Sequence, residues 1–387
     1  MTRMLRWALL VSATAGVTIP LDLVGVPSAA LFAGLAVGIA LALAALAPKH
    51  MPRPAGVVAQ GVLGVYIGTM VHHDAVGAIG SDWLIVLAIT VATLLLSVVA
   101  GGLLGLHRDV SPLTGSLALV AGGASGLVAI ARELGGDDRV VSVVQYLRVA
   151  LVTATIPLVV TLVFHADRQA VGQAANAGET ATAPWYLSLA MLAVIVAVGV
   201  VGGRWVKLPG AGLLGPLALT VALQLTGLSF GLAVPVLLVQ AAYMVIGWQA
   251  GIAFTRESLR AIGRILPLAL GLIVVLGVAT AGLGIVLADV TGMTQLEGYL
   301  ATSPGGVYAV LATAVETGSN VTFIVAAQVL RVLLMLFVAP LMARAMARLG
   351  RRRDRRRGGA ADVSVDPGRT GATPAPGARP APSRPAA

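Results

Sequence analysis

Gly122-Gly123-Ala124-Ser125-Gly126-Leu127-Val128-Ala129-Ile130-Ala131-Arg132-Glu133-Leu134-Gly135 opens a core that the chain writes twice. The second version is Gly305-Gly306-Val307-Tyr308-Ala309-Val310-Leu311-Ala312-Thr313-Ala314-Val315-Glu316-Thr317-Gly318. Gln145, Leu147, Arg148 and Pro157 follow the first; Gln328, Leu330, Arg331 and Pro340 follow the second. The separations 305−122, 316−133, 331−148 and 340−157 all equal 183, and no gap is needed between the glycines and the proline. A duplicated half explains this most simply, and the unit is far longer than the roughly 20–50 residues of a solenoid repeat.

The echo reaches upstream. Gly64-x-x-x-Gly68 returns as Gly247-x-x-x-Gly251, and Pro27-Ser28-Ala29-Ala30-Leu31 returns one residue out of step as Pro209-Gly210-Ala211-Gly212-Leu213. Each half therefore holds several elements in the same order.

Composition sets the solvent. The chain is 58% hydrophobic and 11% charged, with mean hydropathy +0.93. An ordinary soluble domain carries about 25% charged residues. Apolar runs near the roughly 20 residues that cross a hydrocarbon core recur along almost its whole length. These runs are Leu, Val and Ala without strict alternation, which selects helices over a barrel. The expectation is an all-α polytopic membrane protein. The absence of cysteine removes disulfides, thiolate metal sites and cysteine nucleophiles together. Much of the +10 net charge sits in one tail and says little about the body.

The chain begins with Arg3 and Arg6 before a short apolar segment. Ala13-Thr14-Ala15 imitates a signal-peptidase site, but the apolar core before it is meagre, so the stretch reads as a first membrane helix. Further spans are expected near 27–47, 55–71 and 83–106, then the first core at 113–134 and a span at 140–164. A polar linker at 165–184 separates repeat 1–164 from repeat 185–350. The second repeat gives spans near 185–203, 210–227, 233–254 and 264–288, its core at 300–317 and a last span at 320–346. Residues 351–387 open with Arg351-Arg352-Arg353-Asp354-Arg355-Arg356-Arg357 and continue rich in Pro, Ala and Gly. That composition predicts a disordered tail, with its arginine run against anionic lipid at the inner face rather than on nucleic acid.

Lys and Arg clusters fix the expected topology. They fall at Arg3/Arg6, Lys49/Arg53, Arg108, Arg132/Arg139, Arg204/Lys207, Arg256/Arg260/Arg264 and the tail. If each repeated core crossed the membrane fully, two of these clusters would lie outside. If each core enters and returns, or breaks midway, all lie on the cytoplasmic side with both termini. That leaves about ten crossings, five per half, plus two broken or re-entrant segments. An odd count per half turns the second repeat upside down, the layout of many secondary transporters.

The residues that carry chemistry follow from the breaks. Gly122-Gly123 and Ser303-Pro304-Gly305-Gly306 interrupt apolar helix, freeing backbone groups and aiming a helix N-terminus into the protein, which suits an anion. Ser125 lies in the first turn after the first break. Glu133 and Glu316 close the short helices and are candidates for a coupling proton or cation. Arg148 and Arg331 lie inside apolar spans with Gln145 and Gln328 three residues earlier, on the same face. Each arginine needs a partner, and Glu133 or Glu316 is the nearest candidate in its repeat. The pair then serves as a structural lock or as a substrate-anion anchor. His72-His73-Asp74 reads as solvated loop. No phosphate loop, His-Glu-x-x-His or nucleophile elbow occurs, so neither an enzyme nor a cofactor or metal site is expected.

This pattern of Gly-Gly, a short helix ending in Glu and Gly, then Gln-x-Leu-Arg-Val and a later Pro resembles the AbrB family of bacterial membrane proteins. The resemblance covers roughly residues 5–346. It places the family's motif glycines on Gly122, Gly123, Gly305 and Gly306, and its arginine on Arg148 and Arg331. Ala121 departs from the motif proline that the second copy keeps as Pro304, so a softer first break is expected. Family labels include regulator of gene expression and ammonia monooxygenase. The second implies copper or iron ligands that this chain does not offer. The layout is similar to that of the cation/proton antiporter and anion transporter superfamily. That likeness is one of fold and does not establish function; the leading expectation, from the breaks and the buried charges, is an inner-membrane secondary transporter of a small anionic or amphipathic metabolite. The alternatives are a membrane regulator or sensor and, third, a monooxygenase subunit. A homo-oligomer is compatible with each.

Overall fold

The computed structural model describes residues 3–48, 51–71, 73–120, 124–165, 184–208 and 210–335, together with 338 and 341. The tail, most of the 165–184 linker and the glycine pair Gly122-Gly123 lie outside them, as does the side chain of Ser125. Every regular element among the described residues is helical. In chain order the first are α1 Arg3–Leu23, α2 Ala29–Leu43, α3 Arg53–Thr69, α4 His73–Leu104, α5 Pro112–Leu119, α6 Ala124–Leu134 and α7 Asp138–Leu162. Then come α8 Trp185–Trp205, α9 Ala211–Leu225, α10 Val236–Gly251, α11 Arg256–Ala261, α12 Leu266–Thr291, α13 Gln295–Thr302, α14 Val307–Glu316 and α15 Val321–Met335. Five helices are long and apolar enough to cross a membrane: α1, the Trp83–Leu104 part of α4, α7, α8 and α12.

Two helix sets emerge from the packing. In one, α2 lies on α10, α3 on α9 and α10, α1 on α2 and α8 on α9. In the other, α4 lies on α5 and α12, α12 on α13, and α7 on α5 and α6. The sets touch where α14 meets α3 and where α7 meets α2 and α10.

Glycine governs the first set, because helices in lipid gain little from apolar burial and adhere through close backbone contact. Gly34 lies against Met244 and Gly247, and Gly38 against Gly251, so α2 and α10 run parallel. Gly64 lies against Leu213 and Leu217, and Gly68 against Thr220, so α3 and α9 also run parallel. Gly56, at the start of α3, meets Gln249 at the end of α10, which sets these two in opposite senses. Gly64, Gly68, Gly247 and Gly251 thus serve close helix packing, each facing the other half of the chain.

The second set contains two helical hairpins. Ser111 caps α5 by accepting the Thr114 N–H at 3.1 Å, and Thr294 caps α13 by accepting the Glu297 N–H at 3.2 Å. Asp137, just past α6, donates its N–H to Thr114 Oγ1 at 3.0 Å, which brings the chain back to where α5 began. Asn320, just past α14, donates to Glu297 Oε1 at 2.7 Å and closes the second hairpin in the same way. Each core doubles back on itself, one of the two paths that the charge pattern left open. The outer arms pack on glycine: a Cβ on Gly101 of α4 would come 2.7 Å from Ser116 Cα, and one on Gly284 of α12 2.6 Å from the Gly298 carbonyl.

Candidate functional site

Both entering helices stop in extended backbone, at Val120 (ψ 130°) and at Ser303 (ψ 127°). Ser303 is forced there by Pro304, whose ring disfavours helix in the preceding residue. Val120 has no such neighbour, yet it turns out just as sharply. The softer first break expected from Ala121 falls on residues 121–123, outside those described, but what holds the end of α5 lies on α7.

Gln145 Nε2 donates to the carbonyls of Leu117 and Val120, each at 2.8 Å. Arg148 Nη1 donates to the Leu119 carbonyl at 2.9 Å, and its Nη2 to Gln145 Oε1 at 2.9 Å. The end of α5 is capped by a side-chain pair from another helix, which does the work proline does elsewhere. At the second break, Gln328 Nε2 donates to Leu300 O at 2.9 Å and Ala301 O at 3.4 Å. Arg331 donates to the Ser303 carbonyl through Nη1 and to Gln328 Oε1 at 2.6 Å through Nη2. All four side chains are buried, Arg148 at 4% and Arg331 at 3% exposure.

This corrects the expected Arg–Glu pairing. Neither arginine forms an ion pair with a carboxylate among the described residues. Each instead meets the carbonyl end of a short helix, worth roughly half a negative charge. Glu316 turns the other way: its Oε2 accepts the Ser28 N–H at 2.6 Å, at the start of α2 in the other helix set. Glu133 is exposed at the end of α6. A carboxylate was the natural partner to expect, but freed carbonyls meet the same need.

The second break also lies against the first half. A Cβ on Gly305 would sit 3.3 Å from Arg148 Nε, and one on Gly306 3.1 Å from Thr153 Oγ1 and 3.6 Å from Val152 Cγ1. Gly306 holds φ +64°, a conformation that only glycine adopts cheaply. Along α7, then, residues 145–148 hold the end of α5 and residues 148–153 hold the tip of the second hairpin. Arg148 stands between the two.

Three buried polar atoms here have no partner among the described residues: Arg148 Nε, Arg331 Nε and Ser303 Oγ. No side chain caps α14, which starts beside them, so its first N–H groups have no intrahelical acceptor. Leaving buried groups unsatisfied costs about 1–3 kcal/mol each, which marks the place as one built for something. Everything unpaired around the two arginines except the serine hydroxyl is purely a donor, and that hydroxyl can donate too. The site can hold an anion.

Sequence reasoning brought Gln145, Arg148, Ser303, Pro304, Gly305, Gly306, Gln328 and Arg331 to attention, and all of them meet here. Glu316 and Glu133 do not join them. Val152 and Thr153, which carry the contact between halves, were missed because nothing local distinguishes them. Gly101/Gly115 and Gly284/Gly298 were also missed, although their separations of 284−101 and 298−115 are again 183. No group of three or more His, Asp or Glu is placed to hold a metal among the described residues.

An all-helical chain with several membrane-length apolar helices and buried arginines at helix breaks is a polytopic integral membrane protein. The family profile described as "Transition state regulatory protein AbrB" matches residues 30–347, and the chain belongs to that family. It is 31% identical over 344 residues to the Escherichia coli (strain K12) protein named "Putative regulator AbrB", covering 88% of this chain and 96% of that one. It is 26% identical over 313 residues to the "Uncharacterized protein YhjN" of Bacillus subtilis (strain 168), covering 77% and 80%. No solved structure matches.

Proposed function

We propose that this protein is a secondary transporter of the inner membrane, a carrier rather than a catalyst, that moves a small organic anion. The anion binds between the tip of the second hairpin and α7. Arg148 and Arg331 supply charge, Ser303 and the start of α14 supply donors, and Gln145 and Gln328 hold the guanidiniums in place. One observation carries the reading: the unpartnered donors of Arg148, Arg331 and Ser303 all lie at the second break, where no carboxylate neutralises the arginines among the described residues.

The helix directions support an inverted layout. With α2 parallel to α10, α3 parallel to α9 and α3 opposed to α10, α2 opposes its equivalent α9 and α3 its equivalent α10, 182 and 183 residues on. The two hairpins then enter from opposite faces, and alternating access comes from one helix set moving against the other. Glu316, which bridges the sets through Ser28, and Glu133, its equivalent, are the residues through which a proton or cation couples to that movement. The names of the relatives favour one second reading, a regulator that senses the same ligand without moving it.

Flux separates the two. Uptake of radiolabelled carboxylates and sulfonates into proteoliposomes is expected for at least one member of the panel. Arg331→Lys is expected to lower it by tenfold or more, since an ammonium lacks both the fork and the Nε–H. Saturable binding with no uptake would favour the sensor, and full activity in Arg331→Lys would remove the anchor.

A further inference from the structure

A cavity of about 310 Å3 opens between α7 and α12 and ends at the second break. Its walls are apolar: Leu151, Val152 and Val159 on one side, Ile273, Val274 and Val278 on the other. Val274 and Val278 are 51% and 69% exposed, so the groove opens toward the lipid-facing surface of the helix bundle. Ser303 and Pro304 form part of its wall. Gly305, the next residue, faces Arg148, which lies one turn before Val152 on α7. The apolar groove therefore reaches Ser303, whose hydroxyl has no partner and whose carbonyl accepts from Arg331, and Gly305 two residues on faces Arg148.

We infer that the carried anion is amphipathic: a single oxyanion head with an unbranched apolar tail, the head at the arginines and the tail in the α7–α12 groove. This rests on the anion site proposed above and adds the class of molecule and the residue that selects it. A free inorganic anion or a polar polyanion would leave the groove unfilled. A tail placed there leaves water for an apolar wall and holds the head at the break. The groove volume lies at the low end of the roughly 300–1,000 Å3 typical of small-molecule sites.

Gly277 sets the depth. It lines the groove, and a Cβ built on it would meet nothing within 4 Å, so a larger side chain fits without disturbing the fold and occupies the space of the tail. Gly271, on the same helix, is equally free of neighbours but lies outside the groove. It serves as the matched control.

The experiment measures binding of straight-chain sulfonates, from methanesulfonate to octanesulfonate, to the full chain in lipid nanodiscs. A permanently charged head keeps ionisation constant along the series. Affinity is expected to rise about fourfold per methylene until the groove is full. Gly277→Leu should lose that rise, so that octanesulfonate binds it no tighter than propanesulfonate, while Gly271→Leu should keep it. An equal rise in Gly277→Leu would assign the effect to the bilayer or to a lipid chain in the groove, and would overturn the inference. A flat series in the parent that still depends on Arg331 would overturn the tail site while leaving the anion reading in place. Failure of every sulfonate to bind would overturn both.

Discussion

Replacing Gly247 with valine is expected to remove nearly all folded protein from the membrane. A Cβ at that position would meet the Leu31 carbonyl oxygen, the Leu35 nitrogen at 2.7 Å and the Gly34 carbonyl carbon at 3.0 Å. These are backbone atoms of α2, and they cannot rotate away as a side chain can. Overpacking in a close-packed interior costs about 1–3 kcal/mol when side chains absorb it. Here the α2–α10 contact must open, so the loss should reach or exceed the top of that range. Gly102→Val is the control, since its Cβ would meet nothing within 4 Å. Fluorescence size-exclusion profiles of the two variants should differ sharply. A monodisperse Gly247→Val protein at parental yield would show that α2 and α10 do not pack through this glycine.

Arg331→Met should be the most destabilising change at the candidate site. Methionine roughly fills the space of the arginine stem but donates nothing. The Ser303 carbonyl and Gln328 Oε1 would both stay buried, each having lost a donor. An acceptor left in that state costs about 1–3 kcal/mol. The negative end of α13 would also lose its compensating charge. Thermal unfolding of the purified protein should fall well below the parent for Arg331→Met and recover partly in Arg331→Lys, which keeps one donor and the charge. Unchanged unfolding in Arg331→Met would mean that the helix end is held by something else.

Much of this was legible in the residues. The constant separation of 183 fixed the order of elements before any coordinates, and the described helices fall close to the expected spans. The placing of Lys and Arg left each core either to return or to break midway, and the bonds from Asp137 to Thr114 and from Asn320 to Glu297 show it doubling back. Gln145 and Arg148 were singled out by their spacing on one helical face, and they do act together.

The partners were not legible. Burial of an arginine suggests a carboxylate, and Glu133 and Glu316 were near in sequence. The true acceptors are carbonyls 25 to 29 residues earlier, exposed only because a short helix ends there. Backbone carbonyls are present at every position, so sequence cannot say which will be free. The contact of Gly305 with α7 is equally silent, since it joins the two halves of the chain. Nor does sequence tell that Glu316 reaches Ser28, 288 residues away.

If both halves build one polar centre at the middle of α7, a cross-link reads this directly. The chain has no cysteine, so Val152→Cys with Gly305→Cys places the sole thiol pair in the molecule. A Cβ at Gly305 would sit 3.7 Å from Val152 Cγ2. A protease site inserted between residues 166 and 183 separates the halves, so a short thiol cross-linker applied to native membranes should leave them joined on a denaturing gel. Halves that part after cleavage, although both thiols react with a monofunctional reagent, would contradict the account.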